Sequence, residues 1–420
     1  MYQIEGASAV VRGRTALVAG RLPRVSRNVV LLGLVSLFTD ISSEMVATVL
    51  PLYIVYSLGL SPLAYGVIDG AYQGGVAFVR LLGGFFADRL RRYKEIAAIG
   101  YGLSAATRLL FLSVGSSVGA LSALVLVDRA GKGIRTAPRD ALISLSSERA
   151  SLATAFGVHR ALDTAGALLG PLVAFGLLLI VPLAFDTIFV VSFCFALVGL
   201  AILLLFVENQ RAPQSEADEP VNVTLRSAAG LLRLPGFRSL MLAGVGLGLV
   251  TLSDGFLYIS LQRRLDFDMR YLPLLFVATA FVYMLAAIPI GRLADRVGRG
   301  RIFLGGYGLL LVVYASLLLP TVGPVQLVPV LAAFGLYYAA TDGVLMALAS
   351  TTLPAELRAS GMALLVAATG TARLVSSLLF GALWTWSSLE TALMVFVCGI
   401  AASVPAAALI LRRAPAGASA

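Results

Sequence analysis

The stretch Gly291–Arg301 reads GRLADRVGRGR and follows directly on an apolar run. A related stretch, Gly84–Arg89, reads GFFADR and begins 207 residues earlier. Each copy places a glycine shortly before an Asp-Arg pair, and the two copies stand about half a chain apart. This spacing predicts that the chain is an internal duplication.

The composition around both copies is that of a membrane protein. Of the 420 residues, 59% are hydrophobic and 13% are charged, and the mean hydropathy is +0.92. Soluble domains carry about a quarter charged residues. One membrane-spanning helix needs roughly 20 apolar residues.

By that measure the sequence contains twelve apolar stretches, near 29–58, 63–87, 95–114, 119–145, 151–181, 185–208, 235–261, 271–294, 301–320, 324–352, 357–383 and 388–411. The stretches lack the alternation of a barrel wall. We therefore predict an all-α membrane protein with twelve transmembrane helices in two pseudo-symmetric six-helix bundles.

The register of acidic residues supports the duplication. Asp40 and Asp254 are 214 residues apart, and so are Asp128 and Asp342. The only sustained polar, proline-bounded stretch inside the chain reads as a linker between the two halves. The predicted organisation is a basic N-terminal arm (1–28), a first bundle (29–208), a cytoplasmic linker (209–234), a second bundle (235–411) and a tail (412–420).

The net charge of +10 predicts orientation rather than nucleic-acid binding. Twenty-one of the 32 lysines and arginines fall on one side of the predicted membrane, and only Arg263, Arg264 and Arg270 fall opposite. The positive-inside rule then places both termini in the cytoplasm. We expect a multi-pass protein of the inner or plasma membrane, in contact with the lipid bilayer and monomeric.

No cofactor or metal site is predicted. Cys194 and Cys398 lie within apolar stretches, where a thiol behaves as a small apolar group. The chain has no metal-ligand spacing and none of the short motifs of phosphate loops, zinc hydrolases or serine hydrolases. We therefore do not expect an enzyme.

Taken together, the twelve stretches, the central linker and the paired motif resemble the major facilitator superfamily across essentially the whole chain. Arg129–Gly133 is similar to its Arg-x-x-x-Gly motif, and Gly166–Pro171 is similar to the Gly-x-x-x-Gly-Pro signature of its antiporters. The resemblance implies an antiporter-like role for Gly166, Gly170 and Pro171. It also implies that the paired motif forms conformational latches, made of Gly84, Asp88 and Arg89 in the first copy and Gly291, Asp295, Arg296, Gly298 and Arg299 in the second.

Ionisable residues within the apolar stretches are the candidate functional groups, because each needs a partner, a wet cavity or a function at bilayer depth. The candidates for proton coupling are Asp40, Glu44, Asp128, His159, Asp163, Asp254 and Asp342. The candidates for substrate binding are Arg129, Lys132, Arg135, Arg160 and Arg373. In the family fold, helices one, four, seven and ten line a central cavity, and Arg108 is the only mid-helix charge that would fall on an outward-facing helix.

Each candidate has two interpretations. Asp40 and Glu44, one turn apart, are either a proton-binding pair or acids neutralised by a nearby arginine. The cations of the fourth stretch either hold an anionic cargo or form ion pairs between helices. For His159 we favour a hydrogen bond to Asp163 over a protonation switch, and for Gly166 and Gly170 we expect close helix packing.

The predicted function is secondary active transport of a small organic solute by alternating access, driven by protons and with export favoured. One alternative is uptake or exchange of an anionic solute. A second alternative, of a different class, is a membrane receptor or lipid-handling scaffold that transports no solute.

Overall fold

The computed structural model describes residues 25–75, 92–148, 151–209, 230–319, 324–354 and 357–413. Within these ranges the chain is helical and contains no strand. The helices are α1 (Arg27–Leu52), α2 (62–75), α3 (Tyr93–Leu110), α4 (Val118–Leu145), α5 (Leu152–Ile180), α6 (Phe185–Leu205), α7 (Pro235–Gly248), α8 (Asp254–Leu265), α9 (Leu272–Val297), α10 (Arg299–Leu318), α11 (Leu327–Thr352), α12 (Arg358–Trp386) and α13 (Leu389–Arg413). A π-helical turn, Tyr53–Ser57, extends α1.

Most predicted stretches correspond to one helix each, but the seventh does not. The predicted span 235–261 is broken at residues 249–253 into α7 and α8. The Ser253 hydroxyl caps α8 by accepting from the Phe256 amide at 3.4 Å. Since Gly246 and Gly248 also weaken the end of α7, the sequence has both a helix end and a helix start here.

Among the described residues, eight helices are long and apolar enough to cross a membrane. The α7 and α8 helices, with 14 and 12 residues, are each too short to cross a membrane alone. The α4 helix is long enough but carries many ionisable side chains. The chain is thus a multi-pass membrane protein, while the count of twelve spans stays a prediction. Large apolar side chains such as Ile180 and Leu205 are exposed, as expected of a surface that faces lipid.

The chain divides into two compact units. We call the described residues 25–58, 92–148 and 151–209 the N-terminal unit, and 59–75 with the described residues from 230 onward the C-terminal unit. The α2 helix therefore groups with the C-terminal helices. The predicted boundaries of the two six-helix bundles stay predictions.

Each unit has its own apolar core. In the N-terminal unit the core includes Leu32 of α1, Tyr101 of α3 and Leu142 of α4. In the C-terminal unit it includes Phe237, Leu240 and Leu365. The ionisable groups described next lie among these packed helices.

Glycines bring α1 and α5 into close contact. An ideal Cβ placed on Gly166 would lie 2.4 Å from the Leu37 carbonyl oxygen, and one placed on Gly170 would lie 2.7 Å from that of Ile41. No side chain larger than hydrogen fits at either position without movement of the backbone. The close packing predicted for Gly166 and Gly170 is confirmed, and Pro171 lies in the same helix.

Candidate functional site

In the N-terminal unit, the Asp40 carboxyl group has an acid from another helix beside it. Asp40 is buried in α1, and the side chain of Asp163 in α5 lies beside it. Glu44, predicted as the partner of Asp40, is half-buried one turn further along α1. The structure therefore adds Asp163 to the predicted pair.

Four cations lie around these two acids, and one of them, Arg135, acts on Asp40 alone. Arg160 Nη1 lies 3.3 Å from Asp163 Oδ2, and Arg139 Nη1 lies 3.8 Å from Asp163 Oδ1. Lys132 of α4 is close enough to act electrostatically on both Asp40 and Asp163. The direct ion pairs thus belong to Asp163.

The predicted hydrogen bond between His159 and Asp163 is wrong. His159 is buried, and its Nε2 lies 2.8 Å from the hydroxyl of Ser36 in α1. Arg139 Nη1 also lies 3.5 Å from that hydroxyl. A residue four positions along the same helix is an obvious partner in sequence, but the imidazole points across the α1–α5 contact instead.

Asp128 forms a buried ionic triad with two arginines. Arg108 of α3 donates to Asp128 Oδ1 at 2.8 Å, and the adjacent Arg129 donates to Oδ2 at 2.7 Å. All three residues are buried. Arg108, which the resemblance placed on an outward-facing helix, is therefore an interior residue of the N-terminal unit.

The predicted substrate-binding cations of α4 differ in their surroundings. Arg135 donates to the Ser104 hydroxyl at 3.0 Å, and its guanidinium lies 4.7 Å from the centre of the Tyr101 ring. Arg129 and Arg135 are 6% and 3% exposed, whereas Lys132 is half-buried. Arg129 and Arg135 thus make contacts within the protein that an anionic cargo would have to replace.

The C-terminal unit holds a second group of acids. Asp254, at the start of α8, accepts a hydrogen bond from the Tyr338 hydroxyl of α11. Asp342 and Arg373 are close enough to act electrostatically on Asp254. The sequence predicted Asp254, Asp342 and Arg373 as candidates, and the structure brings them together within this unit.

Two small cavities adjoin at Asp254 and Tyr338, each with room for about one water molecule. One also contacts Asp342 and has aromatic walls from Tyr258, Phe276 and Tyr283. The other is polar and is lined further by Gln73, Thr251, Leu252, Ser253, Arg373 and Ser377.

The second copy of the paired motif forms a turn between α9 and α10. Gly298 has φ +112°, a conformation that favours glycine. Arg299 pairs with Asp295 at 2.8 Å and donates to the Ala347 carbonyl of α11 at 3.4 Å. Gly291 and Arg296 belong to the same segment of α9. The first copy, with Gly84, Asp88 and Arg89, lies outside the described residues.

The sequence missed the polar partners of the predicted charges. Arg108, Ser36, Tyr338 and Ser377 all bond to candidate or buried acidic and basic groups. Serine and tyrosine are common in apolar stretches and gave no signal, whereas Arg108 was recognised as a mid-helix charge but was not assigned a partner.

An all-helical, multi-pass protein with paired ionisable groups inside its spans has the features of a membrane transporter. A family model described as Major Facilitator Superfamily matches residues 32–377 and, in a second match, residues 255–420. The chain belongs to the Major Facilitator Superfamily, whose members are transporters of small molecules in the lipid bilayer.

One of two similar proteins carries the name of this family. An uncharacterized MFS-type transporter of Methanocaldococcus jannaschii is 31% identical over 375 residues, covering 86% of this chain and 89% of the relative. An uncharacterized protein of Mycobacterium bovis is 30% identical over 280 residues, covering 65% of this chain and 66% of its own.

The fold is shared with solved transporters. The nucleoside transporter NupG has a TM-score of 0.75 at 15% identity, covering 92% of this chain and 99% of its own. A POT family transporter in complex with 5-aminolevulinic acid has a TM-score of 0.74 at 15% identity, covering 93% and 96%.

Proposed function

We propose that this chain exports a small organic solute across the cytoplasmic membrane in exchange for protons, by alternating access. The observation that carries the proposal is the juxtaposition of Asp40 and Asp163. Two carboxyl groups this close repel each other when both are ionised, and a proton on either one removes that repulsion.

The ion pairs decide which acid takes the proton. Arg160 and Arg139 both face Asp163 and stabilise its charge. Asp40 has no ion pair among the described residues and is therefore the acid that binds and releases the proton. Protonation of Asp40 from outside discharges the pair and releases cargo, and loss of the proton to the cytoplasm resets the site.

The antiporter-like signature supports the same assignment. Gly166 and Gly170 pack against Leu37 and Ile41, the residues of α1 on either side of Asp40 along the chain. Asp163 lies one turn before Gly166 in α5. The two glycines therefore set the distance at which Asp40 and Asp163 meet.

The alternative of an anionic cargo has less support. Arg129 and Arg135 donate to Asp128 and Ser104 and are both buried. Lys132 and Arg160, which are more exposed, are the cations that could bind an anion. Lys132→Ala should abolish transport under this alternative and only alter the proton site under the proposal.

The test uses inverted membrane vesicles with an imposed pH gradient that is followed by a fluorescent amine. Tetraphenylphosphonium, ethidium, aromatic amines and benzoate are added in turn. We expect at least one solute to release protons only when the protein is present, and Asp40→Asn to reduce that release at least about 10-fold because the carboxyl group that carries the proton is lost.

Asp186→Asn is the matched control, since Asp186 is exposed at the start of α6. It should leave solute-driven proton release unchanged. The proposal would be overturned if the Asp40→Asn variant released protons as fully as the parent protein on addition of solute. It would also be overturned if a solute were exported without any proton movement.

A further inference from the structure

Asp69 of α2 is a buried acid that the proposed function does not use. It is 8% exposed, and the Ser377 hydroxyl of α12 donates to its Oδ2 at 2.5 Å. Ser253 and Gln73 also lie close enough to stabilise its negative charge. All of these partners are neutral, and all belong to the C-terminal unit.

No cation among the described residues pairs with Asp69. Among the described residues, the titratable and charged groups around it are Tyr65 on α2, Asp254 on α8, Tyr338 on α11 and Arg373 on α12. Arg373 and Asp254 both line the polar cavity. The negative charge of Asp254 opposes ionisation of Asp69.

The helices around Asp69 leave little room for water. An ideal Cβ on Gly66 would lie 2.5 Å from the Ser377 carbonyl oxygen, and one on Gly381 would lie 2.6 Å from that of Pro62. The Leu63 amide donates to the Thr385 hydroxyl at 2.8 Å. Water can surround the Asp69 carboxyl group only if α2 moves away from α12.

We propose that Asp69 is a proton-binding site in its own right, and that its proton holds α2 against α12. In the closed contact an ionised Asp69 would face neutral donors and a second acid, which replace water poorly. A protonated Asp69 can donate a hydrogen bond to the same hydroxyls without that penalty.

Because proton binding and helix contact are linked, the direction of the pH effect on the α2–α12 contact can be stated. The contact is stable when Asp69 is protonated, and it loosens as rising pH removes the proton. A role for this opening in the transport cycle rests on the proposed function. The pH dependence of the α2–α12 contact does not, because that contact can be measured without any cargo.

The experiment measures disulfide formation in Leu63→Cys/Thr385→Cys, in full-length protein that also carries Cys194→Ala and Cys398→Ala. Rates between pH 5.5 and 8.5 are divided at each pH by the rate in the same protein with Asp69→Asn, so that the chemistry of the thiols cancels. We expect a ratio near 1 at pH 5.5 and at least about a 5-fold fall by pH 8.5, because the contact loosens once Asp69 has lost its proton.

Two further variants test the cause. Ser377→Ala should deepen the fall at pH 8.5, because the ionised carboxylate loses a donor. Asp268→Asn is the control outside the spans: hydrogen bonding from the Arg270 side chain lowers the pKa of Asp268, so this acid stays ionised throughout the range and its replacement should leave the pH profile unchanged.

A ratio that stays flat would overturn the proposal. So would a pH response that Asp40→Asn removes and Asp69→Asn does not, since the response would then belong to the acids of the N-terminal unit. If the vesicle assay fails while the cross-linking ratio falls with pH, proton-coupled export is wrong and the Asp69 site stands.

Discussion

Arg108 is the largest fully buried side chain among the described residues. It donates to Asp128 at 2.8 Å and to the Ser43 hydroxyl at 3.3 Å, and thereby links α3 to α4 and α1. Arg129, from the same helix as Asp128, is a second cation on that carboxylate, so the triad carries a net positive charge. Removing Arg108 would leave a neutral Asp128–Arg129 pair, but it would deprive the buried Asp128 Oδ1 of its hydrogen-bond donor, and an unsatisfied buried acceptor is costly.

We therefore predict that Arg108→Gln lowers the free energy of unfolding by about 1–3 kcal/mol. The amide keeps much of the shape but leaves Asp128 with a single cation. Thermal unfolding in detergent would measure the loss. Arg270→Gln removes an exposed ion pair with Asp268 and should leave the melting temperature unchanged. Equal melting temperatures for Arg108→Gln and the parent protein would contradict the prediction.

At the scale of residues, the sequence identified the charged groups but not their partners. Asp40, Asp163, Asp254 and Asp342 stand out because acids are rare in apolar stretches. The predicted pairings relied on positions four residues apart in one helix, which is the only neighbour relation that sequence gives directly. Contacts such as Asp40 with Asp163 depend on how two helices are rotated against each other, and the local pattern does not specify that rotation.

At the scale of elements, the sequence predicted close packing at Gly166 and Gly170 of α5, and the structure identifies α1 as the partner helix. The Gly-x-x-x-Gly spacing puts two glycines on one face of α5, and that face meets the α1 backbone at Leu37 and Ile41. The α7–α8 break was not predicted, because the apolar run continues through it. The Tyr314 hydroxyl accepts from the Leu252 amide at 2.6 Å, and Ser376 donates to the Thr251 carbonyl at 2.7 Å.

The glycine contact gives a prediction with a built-in control. Gly166→Ala should destabilise the protein by about 1–3 kcal/mol, because its methyl group would overlap the Leu37 carbonyl oxygen. The resulting separation of α1 and α5 should also reduce proton-coupled flux. Gly176→Ala lies in the same helix with nothing within 4 Å of its Cβ, and it should be neutral or stabilising by up to about 1 kcal/mol.

Thermal unfolding and the vesicle assay measure the two effects separately. If Gly166→Ala and Gly176→Ala had the same melting temperature, close packing at Gly166 would have no energetic role.

At the scale of the whole molecule, the duplicated markers have diverged in chemistry. Asp128 and Asp342 stand 214 residues apart and suggest equivalent positions. Asp128 is held by two arginines, whereas Asp342 has no ion pair within 4 Å among the described residues and lies beside a cavity with aromatic walls. Periodicity therefore predicted where the acids recur, and only the surrounding side chains decide what each acid does.

The orientation of the chain in the membrane rests on its loop charges and can be tested directly. The linker 209–234 should face the cytoplasm, and the loop at Asp268, between α8 and α9, should face the opposite side, because the basic residues concentrate near the former. In protein carrying Cys194→Ala and Cys398→Ala, an impermeant maleimide should label Asp268→Cys in intact cells and Ala217→Cys only after the membrane is opened. The reverse pattern would invert the orientation, and the proton that reaches Asp40 would then be expected to drive the cargo in the other direction.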